Sequence, residues 1–199
     1  MNTVRTAWWV IGYAVAVTLG ACHSAPTRIY SIDPTVPATR IDTYQAPALR
    51  VDTLNVPASW DRIEILSLSA AGKLQISDFD HWSAPLAQIA RQTLSDDLDR
   101  RLPSGSVIYP RLPKSNAALG INVDILDFTV LASQASMRAS WLIVPAVGSQ
   151  SAKRGVASLQ GSMTSTEPAS VAHAWSELIG QLADHIAADA ASFKTDPPH

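Results

Sequence analysis

Ser83-Ala84-Pro85-Leu86-Ala87-Gln88-Ile89-Ala90-Arg91-Gln92-Thr93-Leu94-Ser95-Asp96-Asp97-Leu98-Asp99-Arg100-Arg101-Leu102 is the stretch whose reading decides the fold. Leu86, Ile89, Ala90, Leu94, Leu98 and Leu102 recur at the three- and four-residue spacing of one helix face. Gln92, Ser95, Asp96 and Arg100 lie off that stripe. Ser83 reads as the N-cap, Pro85 sits in the first turn, and Pro103-Ser104-Gly105 ends the helix. A helix with one apolar stripe must bury it, and the flanking sequence offers strands, so the expectation is a helix packed on a sheet.

Upstream, Arg28-Ile29-Tyr30-Ser31-Ile32-Asp33 is a brief edge-strand candidate. Leu49 to Val56 reads as a strand and is broken by Pro57-Ala58-Ser59-Trp60-Asp61. Arg62 to Leu68 and Lys73 to Ser77, joined by Ala71-Gly72, read as a hairpin. Ser77 to Trp82 is expected to form a compact loop before the helix. Downstream, Ser106 to Tyr109 is a short strand candidate. Ile121, Val123 and Ile125 alternate with polar residues, and Leu126, Phe128 and Val130 then take the opposite phase, which predicts a β-bulge or a change of covered face. Met137 to Val147 and Gly155 to Met163 are two more strands. A second helix carries the stripe Val171, Trp175, Leu178, Leu182, Ile186 and Phe193, with Gln181, Asp184 and Asp189 off it. The expected fold class is α/β: a single domain with a mixed β-sheet of about six strands and two long amphipathic helices packed on it.

The N-terminus is of another kind. Arg5 is its only charged side chain, and Ala7 to Ala21 is uncharged and mostly apolar. That run is short for a membrane span, which takes about 20 residues, and it reads as a secretory signal peptide. It exits through Leu19-Gly20-Ala21-Cys22, like a bacterial lipobox, in which the cysteine is acylated and becomes the new N-terminus. Cys22 is the only cysteine, so it has no intramolecular disulfide partner. The expected organisation is a signal peptide over 1–21, a lipidated tether or extended arm over 22–47, the domain over 48–193, and a disordered tail over 194–199. Four prolines between His23 and Pro47 suit an arm. Anchoring by lipid needs at least two chains, each buried CH2 contributing about 0.8 kcal/mol.

The formal net charge is −2, and loss of residues 1–21 with Arg5 leaves −3. Nothing in this balance steers the chain onto nucleic acid. With 47% hydrophobic and 16% charged residues, the chain is apolar and lightly charged, which suits burial against a partner or in an oligomer.

Patterns for catalysis do not emerge. His23, His81, His173, His185 and His199 are spread over arm, loop, helix and tail, whereas a metal needs convergent ligands. His81 beside Asp78 and Asp80 is the one mild candidate, and a capped loop explains it more simply. Asp96-Asp97 reads as a carboxylate pair on a solvated helix face whose members point apart, not an acid/base dyad. There is no Gly-x-Ser-x-Gly elbow and no phosphate loop. Trp60, Trp82, Trp141 and Trp175 read as core or interface anchors.

Several short patterns occur in a fixed order: Tyr30-Ser31-Ile32-Asp33; Val56-Pro57-Ala58-Ser59-Trp60-Asp61-Arg62; Phe79-x-x-Trp82-x-x-Pro85-Leu86; Leu94-x-x-Asp97-Leu98; and Val123-Asp124-Ile125-x-x-Phe128. Behind a lipobox, this set resembles the ABC-type transport auxiliary lipoprotein family, which includes the paraquat-inducible protein C-like lipoproteins. Trp60 departs from the smaller residue usual before Asp-Arg, so the local turn is expected to pack differently. The resemblance implies a non-enzymatic lipoprotein with no cofactor beyond the lipid on Cys22. It would sit at the periplasmic face of a Gram-negative outer membrane, since His23 is not the aspartate of inner-membrane retention. Its implied role is to support envelope integrity in a system that moves lipids or other hydrophobic molecules between the membranes. Its implied partners are a substrate-binding MCE-domain protein, which it would dock, and an inner-membrane permease, with a ring-like homo-oligomer compatible. Tyr30, Pro57, Arg62, Phe79 and Trp82 carry the family pattern, as structural residues or partner contacts; for Arg62 and Trp82 the structural reading is a buried ion pair or hydrogen bond and a core indole. The alternative is a free-standing lipoprotein that carries an acyl chain in a pocket. An envelope hydrolase lacks any nucleophile-and-base pattern.

Overall fold

A computed structural model describes residues 26–68, 73–113, 118–131, 133–145 and 151–193. The signal peptide, Cys22, the Ala71-Gly72 turn and residues 194–199 lie outside the described residues. Among the described residues the order is β1 (Arg28–Tyr30), β2 (Leu49–Asn55), β3 (Glu64–Leu68), β4 (Leu74–Trp82), α1 (Leu86–Arg101), β5 (Leu119–Leu131), β6 (Gln134–Val144), β7 (Lys153–Ser162) and α2 (Pro168–Ala191).

The α/β domain with two long helices is as expected, but its strands form two mixed sheets, not one. The first has the order β1-β4-β3 and the second β2-β5-β6-β7. The division follows from the edges of β2. One edge pairs in parallel with β5. At the other edge, Leu49 N donates to Ser106 O at 2.8 Å and Ile108 N to Leu49 O at 2.7 Å. The loop after α1 therefore occupies the edge that β3 would need. The strand expected at Ser106–Tyr109 is reduced to a single bridge, Leu49 to Val107.

Two further expectations are corrected. Ser77 to Trp82 is strand, not loop, because β4 runs on to Trp82 and finds a parallel partner in β1. Polar Ser77, Asp78 and Asp80 hide the alternation that would announce it. Nor does Ser83 cap α1: the cap position is Pro85, with no side-chain cap of its own. Instead the Ala87 amide donates to Asp61 Oδ1 at 3.3 Å, so the carboxylate at the helix start comes from the turn before β3.

The slip in phase along β5 is a bulge. Ile125 pairs with Ala139 and Asp127 with Arg138, leaving Leu126 as the extra residue. Ile121, Val123 and Ile125 before it and Phe128 and Val130 after it are all buried on the helix side. α1 lies over β2, while α2 packs on β6, β7 and α1. The opposite face of the second sheet is polar, with cross-strand pairs such as Asn55 Nδ2 to Asp124 Oδ1 at 2.7 Å.

All four tryptophans of the domain are buried. Trp175 stacks on Phe128 with centroids 4.2 Å apart, and Trp60 meets the same ring edge-on at 4.8 Å. The large residue at position 60 thus fills the turn by reaching into the core. Trp141 lies directly over its cross-strand neighbour Gly155, where an added Cβ would fall 2.1 Å from the indole. Its Nε1 donates to Asp189 Oδ2 on α2 at 2.9 Å, tying sheet to helix.

Phe128→Ala is expected to destabilise the domain by about 3–5 kcal/mol, since it empties the middle of the Trp60–Phe128–Trp175 stack. Urea unfolding followed by tryptophan fluorescence checks this, and a loss under about 1 kcal/mol would show that the stack is not a core element.

Candidate functional site

The stretch before β2 is rich in proline and can make little regular structure of its own. Its backbone groups are taken up by the two helices, mostly by their side chains. Ile32 is buried in the core, and its carbonyl accepts from Thr93 Oγ1 at 2.9 Å. The Asp33 amide donates to Ser176 Oγ at 3.0 Å. The Thr35 amide and hydroxyl both donate to Asp97 Oδ1, at 2.9 and 3.0 Å. The Pro34 carbonyl accepts from Arg100 at 3.2 Å, and the Ile41 amide donates to the Arg101 carbonyl at 2.8 Å. The result is an arm laid along α1 and against α2. Gly180 lets it come close, since a Cβ there would meet Thr35 Oγ1 at 2.1 Å.

Beneath the arm lies a cluster of charge. Asp97 is 0% exposed and Arg101 2%. Arg101 Nη1 donates to Asp97 Oδ1 at 2.8 Å and Nε to Asp184 Oδ1 at 2.6 Å, while Nη2 donates to Thr35 Oγ1 at 3.2 Å. Asp97 is thus buried and paired, not solvated as its place beside Asp96 suggests. Burial pushes its carboxyl up, against the opposing pull of Thr35 and Arg101. Its Oδ2 has no hydrogen-bond partner. The sequence does carry a signal for this cluster: Thr93, Asp97 and Arg101 recur every four residues along the flank of the apolar stripe, so they share a face.

The residues of the family pattern gather at the other end of the arm. β1 and β4 pair Tyr30 with Trp82, and the Ser83 amide returns to the Tyr30 carbonyl at 2.7 Å. Trp82 is core, and its amide donates to the Ile63 carbonyl at 2.6 Å. The Pro57 carbonyl accepts from the Trp60 and Asp61 amides and so closes the turn that aims Asp61 at α1. Arg62 pairs with Glu64 at 3.1 Å, but both side chains are partly exposed, so the pair is not the buried one expected: its partner is two residues along on the open start of β3. Phe79 stands apart from these, on β4 and exposed. Beside it the buried Asp80 receives two bonds from Arg28, Nε at 2.6 Å and Nη2 at 2.8 Å. That fork, with help from Ser77, holds the Asp80 carboxyl down at about 2.

Between the arm, the end of β7 and α2 runs an open groove of about 940 Å³. Tyr30, Asp33 and Thr35 line one wall, Gly161 the end, and His173 and Glu177 the other wall. His173 Nε2 lies 3.3 Å from Glu177 Oε1 on the exposed face of α2. Polar and apolar side chains share its lining, and it is open along its length. Among the described residues no group of three or more His, Cys, Asp or Glu could hold a metal, and His81 instead pairs in register with Ile29 and Glu64.

The family model described as "ABC-type transport auxiliary lipoprotein component" matches residues 30–187, most of the chain. No curated protein matches the sequence. Among solved structures, the crystal structure of an uncharacterized protein is similar with a TM-score of 0.65 and 14% identity, over 83% of this chain and 99% of that one. Protein XCC0632 from Xanthomonas campestris, of the DUF330 family, is similar with a TM-score of 0.60 and 16% identity, over 81% of this chain and 93% of that one. At these identities the likeness is one of fold.

Two expectations follow for the arm. Arg101→Met leaves Asp97 buried without its cation and should cost about 3–5 kcal/mol. It should also speed amide exchange at Thr35 and Ile41; exchange unchanged at both would show that the cluster does not hold the arm. Adding Asp97→Asn should recover part of the loss. The second expectation concerns acid. Asp80 is held to about 2 from an ordinary 3.8, so it contributes stability that is complete above pH 3.8 and is lost as pH falls through about 2. Asp97, pushed up, has the opposite sign: its contribution falls as pH rises through its folded value. Asp80→Asn should flatten the urea midpoint between pH 4 and pH 2, and a profile as steep as the wild type's would refute the assignment.

Proposed function

The chain belongs to the ABC-type transport auxiliary lipoprotein component family, and from that premise we propose that it is a non-catalytic, lipid-anchored accessory subunit of an intermembrane transport system. Members of the family are lipoproteins of the bacterial cell envelope. In this reading Cys22 carries the acyl chains and holds the domain at the periplasmic face of the outer membrane. There it docks an MCE-domain protein, which is served by an inner-membrane permease, and so supports movement of lipids or other hydrophobic molecules and the integrity of the envelope. The observation that carries the reading is the family match over residues 30–187, which begins in the arm and ends in α2. The arm supports it: the chain leading from Cys22 is built into the fold by a buried ion cluster, so an anchor at Cys22 would orient the whole domain. The groove beside it offers mixed polar and apolar side chains to a partner segment. That the groove is open weighs against a free-standing carrier, which would enclose its acyl chain.

Replacing Cys22 with Ser is expected to leave the precursor unacylated and to shift the protein out of the membrane fraction, read by intact mass and flotation. Tagged wild type should retain an MCE-domain protein from detergent-solubilised envelopes. A Cys22→Ser chain that is processed, localised and active like the wild type would overturn the anchor, and wild type that retains no such partner would overturn the docking role.

A further inference from the structure

The groove beside the arm is bordered by a sheet edge that no strand covers among the described residues. β7 is the last strand of the second sheet and pairs only with β6. Two bonds show which way its backbone points. The Met163 amide donates to the carbonyl of Ser133, just before β6, at 2.9 Å, so the odd-numbered residues of β7 face β6. The Gln160 carbonyl instead accepts from Gln181 Nε2 on α2 at 3.0 Å, so the even-numbered residues face outward. Gln160 and Ser162 thus turn their backbone groups away from the sheet, and both line the groove. Unused edges are usually blunted by proline, a bulge or charge. β7 has no proline, and its register with β6 is unbroken. Its lysine, Lys153, is drawn off to Asp189 at 2.9 Å, and Arg154 stands at the end far from the groove.

The surface of α2 is the floor between this edge and the arm. Ser176 and Gly180 touch the arm at Asp33 and Thr35. Glu177 and Gln181, each one residue further on, touch the end of β7: an added Cβ on Gly161 would stand 3.2 Å from Glu177 Oε2, and Gln181 holds Gln160. The two banks are therefore apart by on the order of one helix diameter, about 10 Å. A strand laid between them needs about 4.8 Å on each side. The charge along the groove is acidic. Arg101 is buried and spent on Asp97 and Asp184, which leaves Asp33 and Glu177 toward the opening, with His173 beside Glu177. Two large apolar side chains on the arm also line it while exposed, Val36 at 87% and Ile29 at 61%.

We propose that the groove takes an extended segment of the docked partner, added to the outer edge of β7 as a further strand and carrying a lysine or arginine toward Glu177 and Asp33. This rests on the docking role above. Backbone bonds to Gln160 and Ser162 supply the pairing, the carboxylates select the cation, and Ile29 and Val36 cover apolar side chains of the segment. Gln181 holds the Gln160 carbonyl from an exposed position and yields it to the incoming amide. A helix does not fit this edge, because its own backbone groups are spent within it. An acyl chain has no donor or acceptor to offer. A second copy of this chain pairing through its own β7 would bring β6 behind it, and the arm, clamped by Asp97, stands in the way.

The test uses the full acylated chain, tagged and in detergent micelles, alone and with the MCE-domain protein it retains from envelopes. Amide hydrogen exchange is read residue by residue along β7. In the complex the Gln160 and Ser162 amides should exchange at least about tenfold more slowly than in the free chain, while Leu159 and Gly161, already bonded to β6, change little. Ser162→Pro removes an outward amide and no bond to β6, and Glu177→Lys reverses the charge beside it. Each should cut the retained partner at least about fivefold while the urea midpoint holds. Partner retained with exchange at 160 and 162 unchanged, or retained equally by both folded variants, overturns the added strand and leaves the docking role standing. Slow exchange at 160 and 162 in the free chain overturns it too: dependence on protein concentration would mark a second copy in the groove, and independence a segment of this chain. Wild type that retains no MCE-domain protein overturns the docking role, and the strand with it.

Discussion

The arm before β2 is held in register on the helices by one ion cluster, Asp97–Arg101–Asp184. Two helices could pack through their apolar stripes alone, and an apolar contact would cost less than bringing three charges together under an arm. What the cluster adds is a set of directional acceptors and donors at one place. Asp97 takes both the amide and the hydroxyl of Thr35, and the Arg101 carbonyl takes the amide of Ile41. A proline-rich strip that cannot join a sheet is thereby held in a single register. Removing Asp97 or Arg101 strands the other, buried, charge, while Asp184 meets Arg101 from a partly exposed position.

The second constraint is the corner where β1, β4 and the Pro57–Arg62 turn meet the start of α1. Its parts are interdependent: the Pro57 carbonyl closes the turn, the turn aims Asp61 at the Ala87 amide, and Trp82 closes the corner against Ile63. Tyr30, Pro57, Arg62 and Trp82, which share a family pattern scattered over some fifty positions, are neighbours here by construction. Trp60 adds to this by plugging the turn into the aromatic stack.

How far the sequence announces this differs from element to element. Both helices are legible, because one covered face leaves a stripe at helical spacing. The β5 bulge is legible too, since an inserted residue inverts a period-two pattern. The division into two sheets is not, because it turns on which segment takes the outer edge of β2, and the polar loop at Ser106–Ile108 that does so has no periodic signal. The strand character of Ser77–Trp82 is hidden for a similar reason: Asp80 is buried as an ion, which no alternation of apolar residues records. Asp97 reads as solvated beside Asp96, and only its four-residue spacing from Thr93 and Arg101 shows that it turns inward. The helix cap is misassigned to Ser83 because Asp61 reaches α1 through tertiary structure. Of the candidate site, the pattern residues other than Phe79 converge as neighbours, while the arm's clamp is visible only once its partner helix is in place.

The placement of these clamps bears on how an anchored domain carries load. Tension applied at an acylated Cys22 would reach the fold first at β1, which is only three residues long and holds a parallel register with β4. Three ladder pairs are a weak joint by themselves. The Arg28–Asp80 fork reinforces it with two charge-assisted bonds at its outermost residue, where a pull along the arm is felt first. The fork holds the Asp80 carboxyl well below the ordinary carboxylate range, so the pair keeps its charge in mild acid. Beyond it, Thr35 on Asp97 takes up whatever strain passes Tyr30, and from there the load enters both helices at once. A domain that merely needed to stay near a membrane would manage with a loose linker. An arm locked twice before it reaches β2 holds residues 28–41 in one orientation on the domain.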